Sequence, residues 1–112
     1  PSFFSTHAYA AAKAAIIGLS TSSASYYAKD NIRINVISPG LVETPMSVRA
    51  RENDNIMSYI KFKQPLDGGR IGKANDVTSI AALLLSDQTS FITGQNIAVD
   101  GGWSVSEGQY SK

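Results

Sequence analysis

The sequence predicts an α/β fold with two neighbouring parallel strands and about three helices. Three observations support this prediction: an alanine-rich opening segment, two short segments rich in β-branched residues, and an apolar helical pattern between those two. The resulting order along the chain is helix, strand, helical excursion, helix, strand. Strands that are joined through a helix form the βαβ unit of a parallel sheet, because parallel neighbours need a long crossover connection.

The first helix is predicted over residues 7–29. Six of the eight residues at 8–15 are alanine, the strongest helix former. Ser5 or Thr6 is expected to cap the start of this helix, and Asn31 is expected to end it in the left-handed conformation. The small side chains predict that the helix packs closely on other helices or on a sheet.

The two strands are predicted at residues 32–38 and 95–100, where β-branched residues recur in a partly alternating pattern. Pro39 and Gly40 follow the first strand and are typical of a turn. Residues 100–103, Asp-Gly-Gly-Trp, follow the second strand. Their carboxylate suggests chemistry, but the glycine pair favours a structural role in which the backbone turns at the strand end.

Two helical segments are predicted between the strands. Residues 44–63 begin with threonine followed by proline, the preferred pair for an N-cap and a first helical position, so a helical segment with breaks is expected there. Residues 64–73 contain three glycines and a proline and predict a loop. Over residues 76–86 apolar side chains recur at helical spacing, which predicts a helix with Asn75 as its cap.

Composition excludes several classes of function. The chain has 112 residues, and its ten Lys and Arg against nine Asp and Glu give a net charge of +1, which argues against a nucleic-acid partner. Without cysteine and with a single histidine, no disulfide framework, thiolate site or other metal site is expected. No apolar run approaches the ~18 residues of a membrane span, and no signal segment opens the chain, so a cytoplasmic location is expected.

Tyr9 and Lys13 lie four residues apart and therefore project from the same face of the first helix. A free phenol is a poor base at neutral pH because its pKa is near ~10. An ammonium group beside a phenol favours the phenolate, by about 3 kcal/mol at ~5 Å with an effective dielectric of ~20. The spacing thus suits proton transfer, but it also arises on any amphipathic helix whose lysine is solvated.

Residues 9–19 combine a Tyr-x-x-x-Lys pattern with small residues, an apolar pair and Gly-Leu. Further blocks follow at residues 31–40, 41–46, 72–85 and 93–102. In this order the blocks resemble the short-chain dehydrogenase/reductase family over nearly the whole chain. A lone Tyr-x-x-x-Lys is weak evidence, whereas the ensemble is specific. The resemblance implies the C-terminal part of a doubly wound, Rossmann-like parallel sheet.

The resemblance also implies an activity, namely hydride transfer between NAD or NADP and a small alcohol or carbonyl substrate. Tyr9 would give or take the hydroxyl proton of the substrate as hydride moves. Lys13 would stabilise the Tyr9 phenolate and bind the ribose hydroxyls next to the nicotinamide. Both residues would therefore be catalytic and would also contact the cofactor.

Four more cofactor-binding residues follow from the resemblance. Pro39 and Gly40 would form the turn that passes the nicotinamide. The backbone of Val42 would bind the carboxamide, and the hydroxyl of Thr44 would contact the carboxamide or a phosphate. For Thr44 a helix-capping role is the alternative, and both roles are compatible.

Some family features are not found in the sequence. They are the Gly-rich turn that places the pyrophosphate on a helix N-terminus, a serine about a dozen residues before Tyr9, and an asparagine farther upstream. We therefore expect residues 1–112 to be the C-terminal portion of a single NAD(P)-binding domain whose N-terminal half lies outside this chain. Residues 41–73 are expected to form a substrate lid, although packing of their apolar side chains onto the domain explains them equally well.

Two functions remain open from the sequence. The first is an NAD(P)-dependent oxidoreductase that forms a homodimer or homotetramer when full length. The second is a non-catalytic module of the same fold that binds related subunits. In either case the 112 residues alone are expected to be marginally stable, because a parallel sheet is normally covered on both faces and has several interior strands.

Overall fold

The computed structural model describes residues 2–106, with side chains from His7 onward except that of Met46. The described helices and strands are α1 (Ser2–Tyr27), β1 (Val36–Pro39), α2 (Val48–Arg51), α3 (Asp54–Lys63), α4 (Ala74–Leu84) and β2 (Asn96–Val99). Short 3-10 turns connect them. The α/β class and the order of elements agree with the prediction from sequence.

Helix α1 begins earlier than predicted. It starts at Ser2, so Ser5 and Thr6 lie inside the helix and neither is its N-cap. An alanine-rich helix propagates easily once it is nucleated, and it therefore extends past both candidate caps. At the other end the prediction is confirmed, because Asn31 adopts a left-handed conformation with φ 63° after a 3-10 turn.

The predicted close packing of the small face of α1 is seen at Ala24 and not at the alanines of residues 8–15, which are exposed in this chain. Ala24 is buried, and its Cβ lies 3.6 Å from the position that a Cβ would take at Gly94. The serine- and threonine-rich turn in the middle does not break the helix. There the Thr21 hydroxyl donates to the Ile17 carbonyl at 2.9 Å, which keeps a polar side chain within the helical hydrogen-bond pattern.

Strands β1 and β2 pair in parallel, with Val36 opposite Asn96 and Pro39 opposite Val99. Both strands are shorter than predicted, since each has four residues. Before Val36 the pairing continues through both backbone and side chains: the Gly94 amide donates to the Ile34 carbonyl at 2.8 Å, and the Ile34 amide donates to the Thr93 hydroxyl at 3.1 Å. The β-branched pattern therefore predicts correctly that the two segments are neighbours, while part of the predicted length is paired less regularly.

The segment between the strands is helical with breaks, as predicted. A 3-10 turn at Pro45–Ser47 leads into α2 and then α3. The buried hydroxyl of Ser47 accepts from the Thr44 amide at 2.8 Å and donates to the Thr44 carbonyl at 2.9 Å. At the start of α3 the Asn53 side chain accepts from two backbone amides, which marks the break between the two helices.

The loop prediction for residues 64–73 is confirmed in outline. Within it a 3-10 segment at Leu66–Gly69 has left-handed residues at Asp67 and Gly68. Farther on, Gly72 forms an isolated parallel bridge with Val42. This loop thus returns to the end of β1 before α4 begins.

Helix α4 begins at Ala74, with Lys73 in the N-cap position. Asn75 is therefore inside the first turn, and the prediction that it caps the helix is wrong. The carboxylate of Asp76 accepts from the Lys73 amide at 2.7 Å. Asp76, rather than Asn75, therefore supplies the side-chain acceptor at the start of the helix. Helix α4 contacts β1, and its Leu84 is buried. No helix in the described part of the chain is long and apolar enough to cross a membrane.

Candidate active site

A cleft of about 450 Å³ lies between α1 and β1. We call it the α1–β1 cleft; its lining residues are Tyr9, Lys13, Ile16, Ile17, Val36, Ile37, Ser38, Pro39 and Gly40. The four residues from α1 have the spacing i, i+4, i+7 and i+8, so one helix face supplies that whole wall. The cleft therefore places a phenol and an ammonium group above the carboxyl end of a parallel strand, the usual ligand side of such sheets.

Tyr9 and Lys13 are neighbours within this cleft. The Lys13 Nζ lies 5.2 Å from the centroid of the Tyr9 ring. The tyrosine is 65% exposed, and its hydroxyl-bearing ring is open to a ligand. The spacing argument is confirmed in this respect: the two side chains share one face and one cavity. Their chemical roles remain a prediction.

Pro39 and Gly40 form the turn at the end of β1. The Gly40 amide donates to the Val99 carbonyl at 3.0 Å, which ties the turn to β2. A Cβ at Gly40 would lie 2.9 Å from the Cα of Asp100 and 2.6 Å from the Oε1 of Gln64. Only glycine fits between these neighbours, so the backbone of the turn can approach both β2 and the cleft.

Val42 and Thr44 do not line the α1–β1 cleft. In the bridge with Gly72, the amide of Gly72 donates to Leu41 and the amide of Glu43 donates to Gly72. Because alternate peptide groups of an extended segment point to opposite sides, the amide and carbonyl of Val42 point away from Gly72. Thr44 is exposed at the N-cap position of the next turn. The structure thus brings four of the six predicted residues together and places the other two farther along the same segment.

Asp100 has a structural environment, as the sequence pattern favoured. Burial acts to raise the pKa of its carboxyl, but hydrogen bonds from Ser104 and Gly102 outweigh this effect and hold the pKa below its ordinary value. Its two oxygens accept from the amides of Gly102 and Ser104 at 3.0 and 2.9 Å. The carboxylate therefore closes the glycine turn after β2.

Gln64 is a buried polar residue that the sequence did not reveal. It is only 2% exposed, and its side-chain amide bonds to Leu41 and Arg70. A single glutamine between a helix and a proline has no pattern that distinguishes it from an ordinary loop residue. Among the described residues there is no cluster of three His, Asp or Glu side chains that could hold a metal ion.

Comparison with known proteins identifies the class of this fold and then its family. A model of the family described as enoyl-(acyl carrier protein) reductase matches residues 2–104. Among curated relatives, 2,5-dichloro-2,5-cyclohexadiene-1,4-diol dehydrogenase from Sphingobium indicum is 40% identical over 98 residues, covering 87% of this chain and 38% of that protein. The chain spans 35–38% of the length of the first curated relatives it matches.

Solved structures agree on the fold. A 4-hydroxyisoleucine dehydrogenase mutant complexed with NADH and succinate has a TM-score of 0.83 at 42% identity, covering 88% of this chain and 40% of that chain. A putative 2-deoxy-d-gluconate 3-dehydrogenase from Agrobacterium tumefaciens with bound NADP has a TM-score of 0.81 at 32% identity, covering 86% and 38%. The fold is thus an α/β fold of the Rossmann type. The chain belongs to the short-chain dehydrogenase/reductase family, a family of oxidoreductases.

Proposed function

We propose that this chain carries the acid–base pair and the nicotinamide-facing turn of an NAD(P)-dependent oxidoreductase that interconverts an alcohol and a carbonyl. The observation that supports this function best is the shared cleft: Tyr9 and Lys13 line the same cavity as Pro39 and Gly40. A proton donor, a cation and a close-packed backbone turn are the groups that such a site needs from this half of the fold.

In this proposal Tyr9 exchanges a proton at its hydroxyl oxygen with the substrate oxygen. Lys13 stabilises the phenolate through its ammonium charge and donates hydrogen bonds to the ribose hydroxyls of the cofactor. A dinucleotide held by these residues would supply or accept the hydride. Ile16 and Ile17, on the same helix face, provide the apolar wall against which a planar ring can lie.

The effect of Lys13 on Tyr9 depends on how far the cleft is covered. In an open cleft the effective dielectric is close to that of water, and a unit charge at ~5 Å is worth only about 0.8 kcal/mol. A cofactor and further protein that exclude water bring the effective dielectric toward ~20, which raises this value to about 3 kcal/mol. Because Tyr9 is 65% exposed in this chain, acid–base catalysis requires that additional groups cover the pair.

The turn and the segment after it suit the nicotinamide end of a dinucleotide. Gly40 leaves no side chain between the backbone and the cleft, and Val42 has its peptide groups directed away from the bridge to Gly72. We assign the carboxamide to the Val42 backbone and a second contact to the exposed Thr44 hydroxyl. Residues 41–73 would cover the substrate. The neighbours that carry NADH and NADP support either dinucleotide.

The substitution Tyr9→Phe tests this function in the full-length protein. We expect turnover of a panel of small ketones and polyols to fall by at least about 100-fold, the range of lost acid–base catalysis, while binding of NADH or NADPH survives. Turnover is followed by the absorbance of the reduced cofactor. Full activity of the Tyr9→Phe protein would contradict the assigned role.

The chain offers a matched control for this test in Tyr26 and Lys29. The Lys29 Nζ lies 4.9 Å from the centroid of the Tyr26 ring, a geometry close to that of the catalytic candidates. Tyr26 is exposed and lies outside the α1–β1 cleft. Tyr26→Phe should therefore leave turnover unchanged, so that a loss specific to Tyr9 cannot come from removing any tyrosine of this helix.

A second candidate function is a non-catalytic interaction module, and the exposure of apolar side chains on α1 favours it. Ile16 and Leu19 are 53% and 70% exposed on this helix. Such a surface suits contact of the module with a related subunit, whereas in the enzyme it would suit the interface of a cytoplasmic homodimer or homotetramer. Fluorescence titration with NADH and NADPH separates the two functions. Dinucleotide binding supports the enzyme, whereas subunit exchange with a related full-length protein and no dinucleotide binding supports the module.

A further inference from the structure

Gln64 lies at the junction of three segments. Its Oε1 accepts from the Leu41 amide at 3.0 Å, and its Nε2 donates to the Leu41 carbonyl at 3.2 Å and to the Arg70 carbonyl at 3.3 Å. The side-chain amide thus pairs with both peptide groups of Leu41, as a neighbouring strand would. The residue is 2% exposed, so these bonds are made away from water, where an unpaired polar group is costly.

The same side chain shapes the space around the turn at residues 39–41. A Cβ at Gly40 would lie 2.6 Å from the Gln64 Oε1, and a Cβ at Gly101 would lie 3.0 Å from the Gln64 Cβ. The Gln64 side chain therefore occupies the space that a side chain at either glycine would need. Because Leu66 also donates to the Gly101 carbonyl at 3.0 Å, the end of the excursion is fastened to the end of β2.

Gln64 also ends helix α3. Its backbone amide donates to the Ile60 carbonyl at 2.7 Å, and Ile60 is itself buried. One residue consequently connects the last turn of α3 to the peptide that follows Gly40. A displacement of α3 would therefore disturb this turn, because the buried Gln64 side chain would have to break its hydrogen bonds to Leu41 or move with the helix.

We propose that Gln64 is a positioning residue that holds the Pro39–Gly40 turn in the α1–β1 cleft in the conformation that receives the nicotinamide. This inference rests on the function proposed above, since it assigns the turn to the cofactor. Gln64 does not line the cleft and acts through Leu41. Its removal should weaken dinucleotide binding without touching Tyr9 or Lys13.

The first test replaces the amide by an apolar chain of similar length in the full-length protein. Gln64→Met leaves the Leu41 amide and the Arg70 carbonyl without this partner, while the Leu41 carbonyl keeps its bond from the Gly72 amide. We expect the Kd for NADH or NADPH, measured by cofactor fluorescence, to rise about fivefold or more, because the unpaired groups favour other conformations of the turn and so reduce the fraction that binds the cofactor. Gln88→Met, at an exposed glutamine, is the control and should leave the Kd unchanged.

A second variant separates positioning from general stability. Gln64→Glu keeps the shape of the side chain and the acceptor for the Leu41 amide but loses both donated bonds when ionised. Protonation restores one donor, so the Kd of this variant should approach that of the wild type as the pH falls from about 8 to about 5. Because protonation would restore stability as well, the Kd is determined at each pH on protein whose folded fraction is checked by circular dichroism, and a recovery at a constant folded fraction reports the turn.

Hydrogen exchange at the Leu41 amide gives a readout that needs no cofactor. In Gln64→Met this amide should exchange at least about fivefold faster, while amides within the β1–β2 ladder keep their rates. Unchanged exchange, or an unchanged Kd in a wild type that binds dinucleotide, would overturn the positioning role. A wild type that binds neither dinucleotide would instead overturn the proposed function.

Discussion

At the scale of single residues, Arg70 joins the loop after α3 to the start of α4. Its Nε lies 2.6 Å from the Asp67 carboxylate, and its Nη1 and Nη2 donate to the two oxygens of Asp76 at 2.8 and 3.0 Å. A bidentate pair of this kind fixes orientation as well as distance. Since the Arg70 carbonyl also accepts from Gln64, the loop that carries the arginine is held from both sides.

The pH dependence of stability should reveal this ion pair. The hydrogen bond from Arg70 and then that from the Lys73 amide lower the pKa of Asp76 to about 2. A carboxyl with a lowered pKa in the folded state stabilises it at pH above its unfolded value near ~4, and this contribution disappears as the pH falls through the folded value. We therefore expect Asp76→Asn to lower the Tm at pH 7 and the difference from wild type to vanish near pH 2.

The exposed Asp30 provides the comparison for this measurement. Asp30→Asn should shift the Tm much less than Asp76→Asn at pH 7. Added salt should reduce the Asp76 effect, because both partners are partly exposed and ions screen such pairs. An Asp76 effect that is independent of pH would mean that the side chain acts through shape rather than charge.

At the scale of elements, the sequence predicted which segments form helices and strands better than where they end. The β-branched pattern predicts β1 correctly, yet the regular ladder begins only at Val36, because Thr93 supplies a side-chain acceptor to Ile34. Likewise Asp76 replaces Asn75 at the start of α4. The ends of helices and strands depend on which polar groups come into contact in the folded chain, and these contacts cannot be predicted from spacing along the sequence.

The site shows the same division. The i, i+4 spacing alone predicted that Tyr9 and Lys13 lie together, because helix geometry decides which side chains share a face. The prediction that Pro39 and Gly40 lie in the same site as this pair came from the family resemblance and not from spacing. The burial of Gln64 required the structure, since it depends on two loops and a strand end meeting.

Two glycines in different elements should respond oppositely to alanine. In the middle of α1, a Cβ at Gly18 would meet nothing within 4 Å, so Gly18→Ala should stabilise the protein by about 0.5–1 kcal/mol through helix propensity. At Gly40 the new Cβ would meet the Asp100 backbone at 2.9 Å, and Gly40→Ala should destabilise by about 1–3 kcal/mol. Urea denaturation of the full-length protein measures both changes. A destabilising Gly18→Ala would show that another surface covers this point of α1.

At the scale of the whole molecule, the chain exposes more surface than a folded protein of its mass. Its accessible surface is 8433 Å², against about 5,900 Å² expected for a compact monomer of 11.9 kDa. Its radius of gyration is 16.4 Å, against about 13 Å expected for 112 residues. Among the described residues the buried apolar side chains are Ala24, Ile60 and Leu84. The chain therefore exposes apolar surface that a compact monomer of this mass would bury.

The isolated 112-residue chain should therefore show this exposed surface directly. Leu85 and Phe91 are 85% and 102% exposed, and apolar groups on this scale bind the dye ANS or associate with other copies. We expect the isolated chain to bind ANS and to melt in a broad transition by circular dichroism. Leu85→Lys and Phe91→Lys together should reduce the dye signal, whereas Lys29→Arg, an exposed exchange of like charges, should not. A sharp, cooperative melt without ANS binding would show instead that these few buried contacts suffice, and that the small core at Ala24, Ile60 and Leu84 stabilises the fold without further cover.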